Sequence, residues 1–285
     1  MTSSGERRFV NEELDGYFES PHDDPPTCAA MLTIYLDESV DDNNSLWVVG
    51  GYLGKKSNWK KYVPLWTKEL VPLKSLHMKS LRLNSKQAKK RYGETLKRLG
   101  SVPKRCGLIP FAGSVRVNDY KSEVTGSVLE ILMIGYAMAI ISVIDEILEF
   151  LPRNERIEVI FEERTVYAEH MINVMKFIKS LPQHRTSRGK PVLAKWGAIE
   201  KSLLTEASDY LCYALLQREI DQTSQKAELT APILESQPCN HNRRGKEYFS
   251  RSIDNVRKVR AMRGKEVLPL NDQIRKAIRN MSEAK

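Results

Sequence analysis

From Met31 to Leu36 the chain is almost continuously apolar and rich in β-formers, the pattern of a strand covered on both faces. The turn-forming stretch Ser39–Ser45 follows, and the apolar run Leu46–Leu53 predicts a second strand closing a hairpin. Trp59, Tyr62, Val63 and Trp66 recur at helical spacing, predicting a helix over 58–70 that Pro64 bends or delays. An irregular segment carrying His77 leads into a basic helix across 85–99. Residues 106–117 predict a third strand broken near Pro110, and 119–151 carry the longest helical pattern, stopped by Pro152. A strand at 156–161, a helix from about 167 to 181, a basic loop at 184–190, an edge strand at 192–199 and a buried helix at 203–217 complete the series. Strands cluster early and then alternate with helices, so the expected class is α/β, a mixed sheet flanked by helices.

Composition adds domain boundaries. At 285 residues, 41% hydrophobic and 28% charged, the chain can bury a substantial core. Residues 1–30 hold seven acidic residues against two arginines and end in Pro25-Pro26, which reads as an acidic N-terminal arm. Residues 31–220 carry the strand and helix pattern of the main domain. Residues 221–285 hold 14 Lys/Arg against eight Asp/Glu, a basic, helical C-terminal extension. The formal net charge of +9 favours polyanionic partners, nucleic acid first among them. Four scattered cysteines without CxxC spacing exclude a disulfide scaffold or zinc knuckle and suit a reducing compartment. Cys212 falls inside an apolar helix as a small core residue. The longest uncharged apolar run, Ile131–Ile144, is too short to span a bilayer and reads as a buried helix. With no targeting signal, a cytoplasmic location and no membrane partner are expected, and a homo-oligomer is compatible with the chain.

Three places put carboxylates where a buried sheet would not want them. Asp37-Glu38 follows the first strand directly, and Glu162-Glu163 follows the strand at 156–161. Asp209 sits in a largely apolar helix with Glu206 one turn earlier; Glu206, Asp209, Tyr213 and Gln217 form a polar stripe flanked by apolar residues. Gathered carboxylates repel one another, and a divalent cation with oxygen preference removes that penalty. Two such ions could clamp the attacking and leaving oxygens of a phosphodiester displacement. Each position taken singly reads more simply as a solvated strand end or a helix cap, a reading that weakens for all three at once. Strand parity places Glu162, rather than Glu163, on the polar face to which Asp37 belongs. His77 could position water or protonate a leaving group, the work imidazole side chains commonly do. Gly50-Gly51 lacks a phosphate-loop context and reads as a device for close packing or a strand kink.

Several of these segments resemble a known family. Ile34-Tyr35-Leu36-Asp37-Glu38-Ser39, Val48-Val49-Gly50-Gly51, the pair Trp59 and Trp66, His77-Met78, Val159-Ile160-Phe161-Glu162 and Ala207–Ala214 are similar, in order and spacing, to the motifs of the domain of unknown function 3800 family. The resemblance covers about residues 31–220. It implies an RNase H-like fold and a nuclease site of Asp37, Glu38, His77, Glu162 and Asp209, with Asp37, Glu162 and Asp209 holding Mg²⁺ or Mn²⁺. Three positions depart from the family pattern: Val40 replaces a glycine, Glu206 a glutamine, and Lys79-Ser80 a carboxylate after the histidine.

The expected function is therefore a divalent-metal-dependent nuclease. Phosphates would be held by Lys89, Lys90 and Arg91, by Arg185, Arg188 and Lys190, and by Arg243, Arg244 and Lys246. The alternative is a non-catalytic nucleic-acid-binding or partner-binding module on the same fold. A hydrolase of a small phosphorylated compound ranks third, because the basic tail exceeds what such a substrate needs.

Overall fold

The computed structural model describes residues 31–120 apart from 42 and 44, and residues 128–152, 155–162, 193–199 and 202–245. The acidic arm, the helix expected at 167–181, the basic loop with Arg185, Arg188 and Lys190, and Lys246 with the tail beyond it lie outside the described residues, as does Glu163.

In chain order the elements are β1 (Leu32–Val40), β2 (Leu46–Lys55), α1 (Lys56–Leu70), a 3₁₀ turn (Met78–Leu81), α2 (Ala88–Arg105), β3 (Ile109–Arg116) and the short α3 (Val117–Tyr120). Then come α4 (Val128–Phe150), β4 (Ile157–Glu162), β5 (Leu193–Ile199), α5 (Leu203–Ile220), α6 (Gln225–Ser236) and β6 (Asn240–Arg244). The strands form one mixed six-stranded sheet in the order β5-β4-β1-β2-β3-β6. β1, β2 and β3 are consecutive antiparallel neighbours, whereas β4 lies parallel to β1, β5 parallel to β4 and β6 parallel to β3.

Alternation along the strands sorts the core into two layers. Ile34, Leu36, Val49, Phe111 and Val159 pack with Ile140, Val143 and Ile147 of α4. Tyr35, Val48, Tyr52 and Ile160 pack with Trp59, Tyr62 and Trp66 of α1, Leu96 and Leu99 of α2, and Tyr210, Leu211 and Leu215 of α5. The α/β class thus takes the form of a sheet with helices on both faces. Among the described residues no helix is long and apolar enough to cross a membrane.

Four features refine or correct the expectation. β1 does not stop at Leu36; it continues to Val40, which pairs with Trp47, so Asp37 and Glu38 lie within the strand. The ladder can run that far because the Asp41 carboxylate closes the turn itself, accepting from the Ser45 and Leu46 amides at 2.5 and 2.7 Å. Pro110 does not break β3: it pairs with Tyr52, and the β6 ladder begins only at Phe111, so its missing N–H is not needed there. Pro64 sits inside α1 on its exposed side, where losing a helix hydrogen bond costs least. Finally, Asn240–Arg244 of the basic extension joins the sheet as β6.

Candidate active site

α5 carries Glu206 and Asp209 across the face of the sheet that holds Asp37 and Glu162. Ser202 caps its N-terminus, accepting from the Leu204 amide at 3.3 Å, and the helix is buried from Leu204 to Gln217. It lies along β1, held by two bonds to strand carbonyls: Ser208 Oγ donates to Tyr35 O at 2.8 Å and Cys212 Sγ to Asp37 O at 3.2 Å. Four helical residues rise about 6 Å and two strand residues about 6.6 Å, so the two bonds keep step along both elements. Gly51 makes this approach possible, because a Cβ there would stand 1.8 Å from Tyr35 O and 3.0 Å from Ser208 Oγ.

Asp37 is 3% exposed and shares its strand face with Tyr35 and Thr33, toward α5. Opposite it stands Gly50, whose lack of a side chain leaves that rung of β2 without bulk. On the other side the β1–β4 ladder pairs Leu36 with Phe161, so the next rung sets Glu162 beside Asp37 on the same face. This is the glutamate that strand parity prefers, and Thr205 Oγ1 of α5 holds it by donating to Oε2 at 2.9 Å. The same parity separates Glu38 from its neighbour: it belongs with Leu36 on the α4 side of the sheet.

Asp209, 5% exposed, faces the His77 loop. Its Oδ2 lies 3.1 Å from His77 Nδ1 and accepts from the Met78 amide at 3.0 Å. The loop is pinned around that contact by buried Leu76, Met78, Leu81 and Leu83 and, farther on, by Gln225 Nε2 donating to Leu83 O and Ser85 O. The His77 side chain remains 43% exposed. Glu206 is occupied differently: Trp66 Nε1 donates to its Oε2 at 2.7 Å, and it lies close enough to Tyr62 to help burial raise that phenol. Glu206 and Asp209 of the α5 polar stripe thus each meet specific partners. Burial also raises the Cys212 thiol, with Asp37, Asp209 and Glu38 adding in that order, which makes their common negative field explicit.

Nevertheless, among the described residues no three His, Cys, Asp or Glu side chains are grouped as a metal-holding set. The donors are the hard oxygens that Mg²⁺ or Mn²⁺ takes, but as they stand they do not meet at one point.

The expected phosphate contacts divide. Lys90 and Arg91 are exposed on α2, Arg91 lying 5.2 Å over the Tyr92 ring, whereas Lys89 is ion-paired to Glu228. Arg243 is paired, with Arg116, to the buried Glu219 carboxylate, a structural use that charge counting could not separate from phosphate binding. Arg244 lies in β6. Sequence reasoning missed the Trp66–Glu206 and Thr205–Glu162 bonds and the Met78 amide on Asp209; Trp66 alone had a visible signal, its helical register with Trp59. In comparisons with known proteins, no family model, curated protein or solved structure matches the chain.

Proposed function

We propose that the chain is a divalent-metal-dependent phosphodiester hydrolase acting on nucleic acid, on an RNase H-like domain of the kind seen in the domain of unknown function 3800 family. The observation that carries this proposal is the shared face of Asp37 and Glu162, on adjacent parallel strands, beneath a helix that supplies Asp209 and, through it, His77. In an open α/β sheet, ligands bind beyond the carboxyl ends of the strands where the strand order reverses, and β1 lies at such a reversal, between β4 and β2. Buried carboxylates at this density are costly unless a cation or a proton offsets them.

Asp37, Glu162 and Asp209 would hold Mg²⁺ or Mn²⁺, and the ion would supply charge neutralisation and an activated water. Asp209 also fixes the His77 ring through Nδ1, which makes Nε2 the atom for proton transfer. Glu206, tied to Trp66, belongs to the scaffold. Glu38, turned to the other face, contributes charge without contacting substrate.

A non-catalytic nucleic-acid-binding module is the second reading, and the lack of a formed three-ligand group among the described residues favours it. Calorimetric titration with Mn²⁺, run beside cleavage of labelled DNA and RNA, separates the two. The nuclease reading expects one or two Mn²⁺ sites and cleavage, both lost in Asp37→Ala and Asp209→Ala. Cleavage that survives both substitutions, or salt-sensitive nucleic-acid binding with no Mn²⁺ site, overturns it.

A further inference from the structure

Between Glu69 and Glu94 the chain contains no acidic residue, yet it carries seven lysines and arginines around His77. The structure divides them. Lys89 is neutralised by Glu228 and Arg91 packs over Tyr92. Lys74, Lys79, Arg82, Lys86 and Lys90 are exposed, and none has an acidic partner among the described residues. Three of the five stand within five residues of His77, on the loop whose Met78 amide is bonded to Asp209.

This loop is stiff enough to serve as a surface. Its apolar positions, Leu76, Met78, Leu81 and Leu83, are buried, while the residues between them face outward. Ser80 closes the 3₁₀ turn on His77, through its amide at 3.0 Å and its hydroxyl at 2.7 Å, both to the His77 carbonyl. Arg82 holds a left-handed backbone (φ 47°), a conformation that glycine or asparagine adopts at lower cost. The arginine thus stands exposed between two buried leucines, in a backbone conformation that glycine would take at lower cost.

We infer that the Lys74–Lys90 segment is the lip of the site that grips a nucleic-acid backbone, with Lys74, Lys79 and Arg82 on the phosphates nearest His77. This rests on the proposed function and deepens it. The acidic face around Asp37 and Asp209 repels a polyanion, so phosphates can be brought to it only by cations fixed at its border. Lys79, exposed two residues past the histidine, sets a cation at the border of that face. Backbone contacts carry no base readout, so the lip accepts sequences broadly.

Fluorescence anisotropy with the full chain, labelled 20-nucleotide single-stranded DNA, single-stranded RNA and duplex, in EDTA over a series of KCl concentrations, tests this. A triple variant, Lys74→Gln, Lys79→Gln and Arg82→Gly, is expected to weaken binding at least tenfold near 100 mM salt. It should also lower the slope of log K against log salt by about 2 to 3, as loss of three phosphate contacts requires. Relief of the left-handed backbone in Arg82→Gly offsets the greater unfolded-state freedom of glycine, so the variant should melt within a few degrees of wild type, and a matching Tm excludes misfolding as the cause of lost binding. A control triple variant, Lys61→Gln, Lys68→Gln and Lys104→Gln, removes the same charge from exposed positions elsewhere and should leave the slope unchanged. Equal effects of the two triple variants, or no binding by wild type, overturn the inference. The proposed function is judged separately: lip-dependent binding without Mn²⁺-dependent cleavage sinks the nuclease and keeps the lip. Cleavage that requires Asp37 with binding indifferent to the lip variant does the reverse.

Discussion

Replacing Asp37 by Asn removes one negative charge from a buried position while keeping the Oδ1 acceptor that the Glu38 amide uses at 2.8 Å. Glu162 lies beside it on the same face of the adjoining strand, one rung past the paired Leu36 and Phe161. Adjacent strands lie about 5 Å apart, and two like charges at that separation repel by about 3 kcal/mol at an effective dielectric constant of about 20. Glu162 is only partly buried, and water and salt screen part of this, leaving about 1–2 kcal/mol. Asp37→Asn should therefore stabilise the metal-free protein and raise Tm by about 3–6 °C for a domain of this size. Differential scanning calorimetry in EDTA and then in excess MnCl₂ measures it. In Mn²⁺ the wild type should gain about 2.7 kcal/mol at a hundredfold excess over Kd, whereas the variant should not move. If Asp37→Asn melts lower than wild type in EDTA, or if Mn²⁺ shifts both proteins equally, then Asp37 is not a carboxylate kept at a cost for a cation.

Three further substitutions probe the surroundings. Trp66→Phe removes the indole donor from buried Glu206 and should cost about 1.5–3 kcal/mol in urea denaturation; in a double-mutant cycle with Glu206→Gln, coupling of about 1 kcal/mol or more is expected, and none would refute the bond. His77→Ala, at a half-exposed side chain, should leave stability within about 1 kcal/mol. It should slow cleavage about 10²- to 10⁴-fold, and an unaltered rate removes His77 from the chemistry. Burial, with Arg218 nearby, pushes His241 down to about 4, and its Nε2 lies 2.9 Å from Ser114 Oγ. The unfolded histidine takes up a proton near its ordinary 6.5 and the folded one only near 4, so its stabilisation is complete above about pH 6.5. It is lost as pH falls from 6.5 to 4, by at most about 3 kcal/mol. His241→Gln should flatten that limb of the stability–pH curve, and an unchanged limb would contradict the assignment.

Element type follows from local physics, and that part of the fold needed no tertiary information. The unbroken apolar run before Asp37, the Trp59–Trp66 periodicity and the long apolar pattern through Ile144 each imply one solution to burying their surface, and each takes it. The two-residue period of strands was enough to prefer Glu162 over Glu163 as the neighbour of Asp37. Boundaries were less determinate. How far β1 ran depended on the bonds Asp41 could make to Ser45 and Leu46, and Pro110 was tolerable only because β6 starts one residue later.

Partners at long range were decided by the tertiary structure alone. No periodicity in the chain could say that Asp209 would meet His77, 132 residues away, or that Glu206 would be taken by Trp66. Nor could charge counting separate Arg243, paired to Glu219, from Lys79 and Arg82, which have no acidic partner among the described residues. Backbone propensity and hydrophobic period act over a few residues and so are written locally. The meeting of buried carboxylates with their donors is set by strand register and helix docking, which exist only once the sheet is assembled.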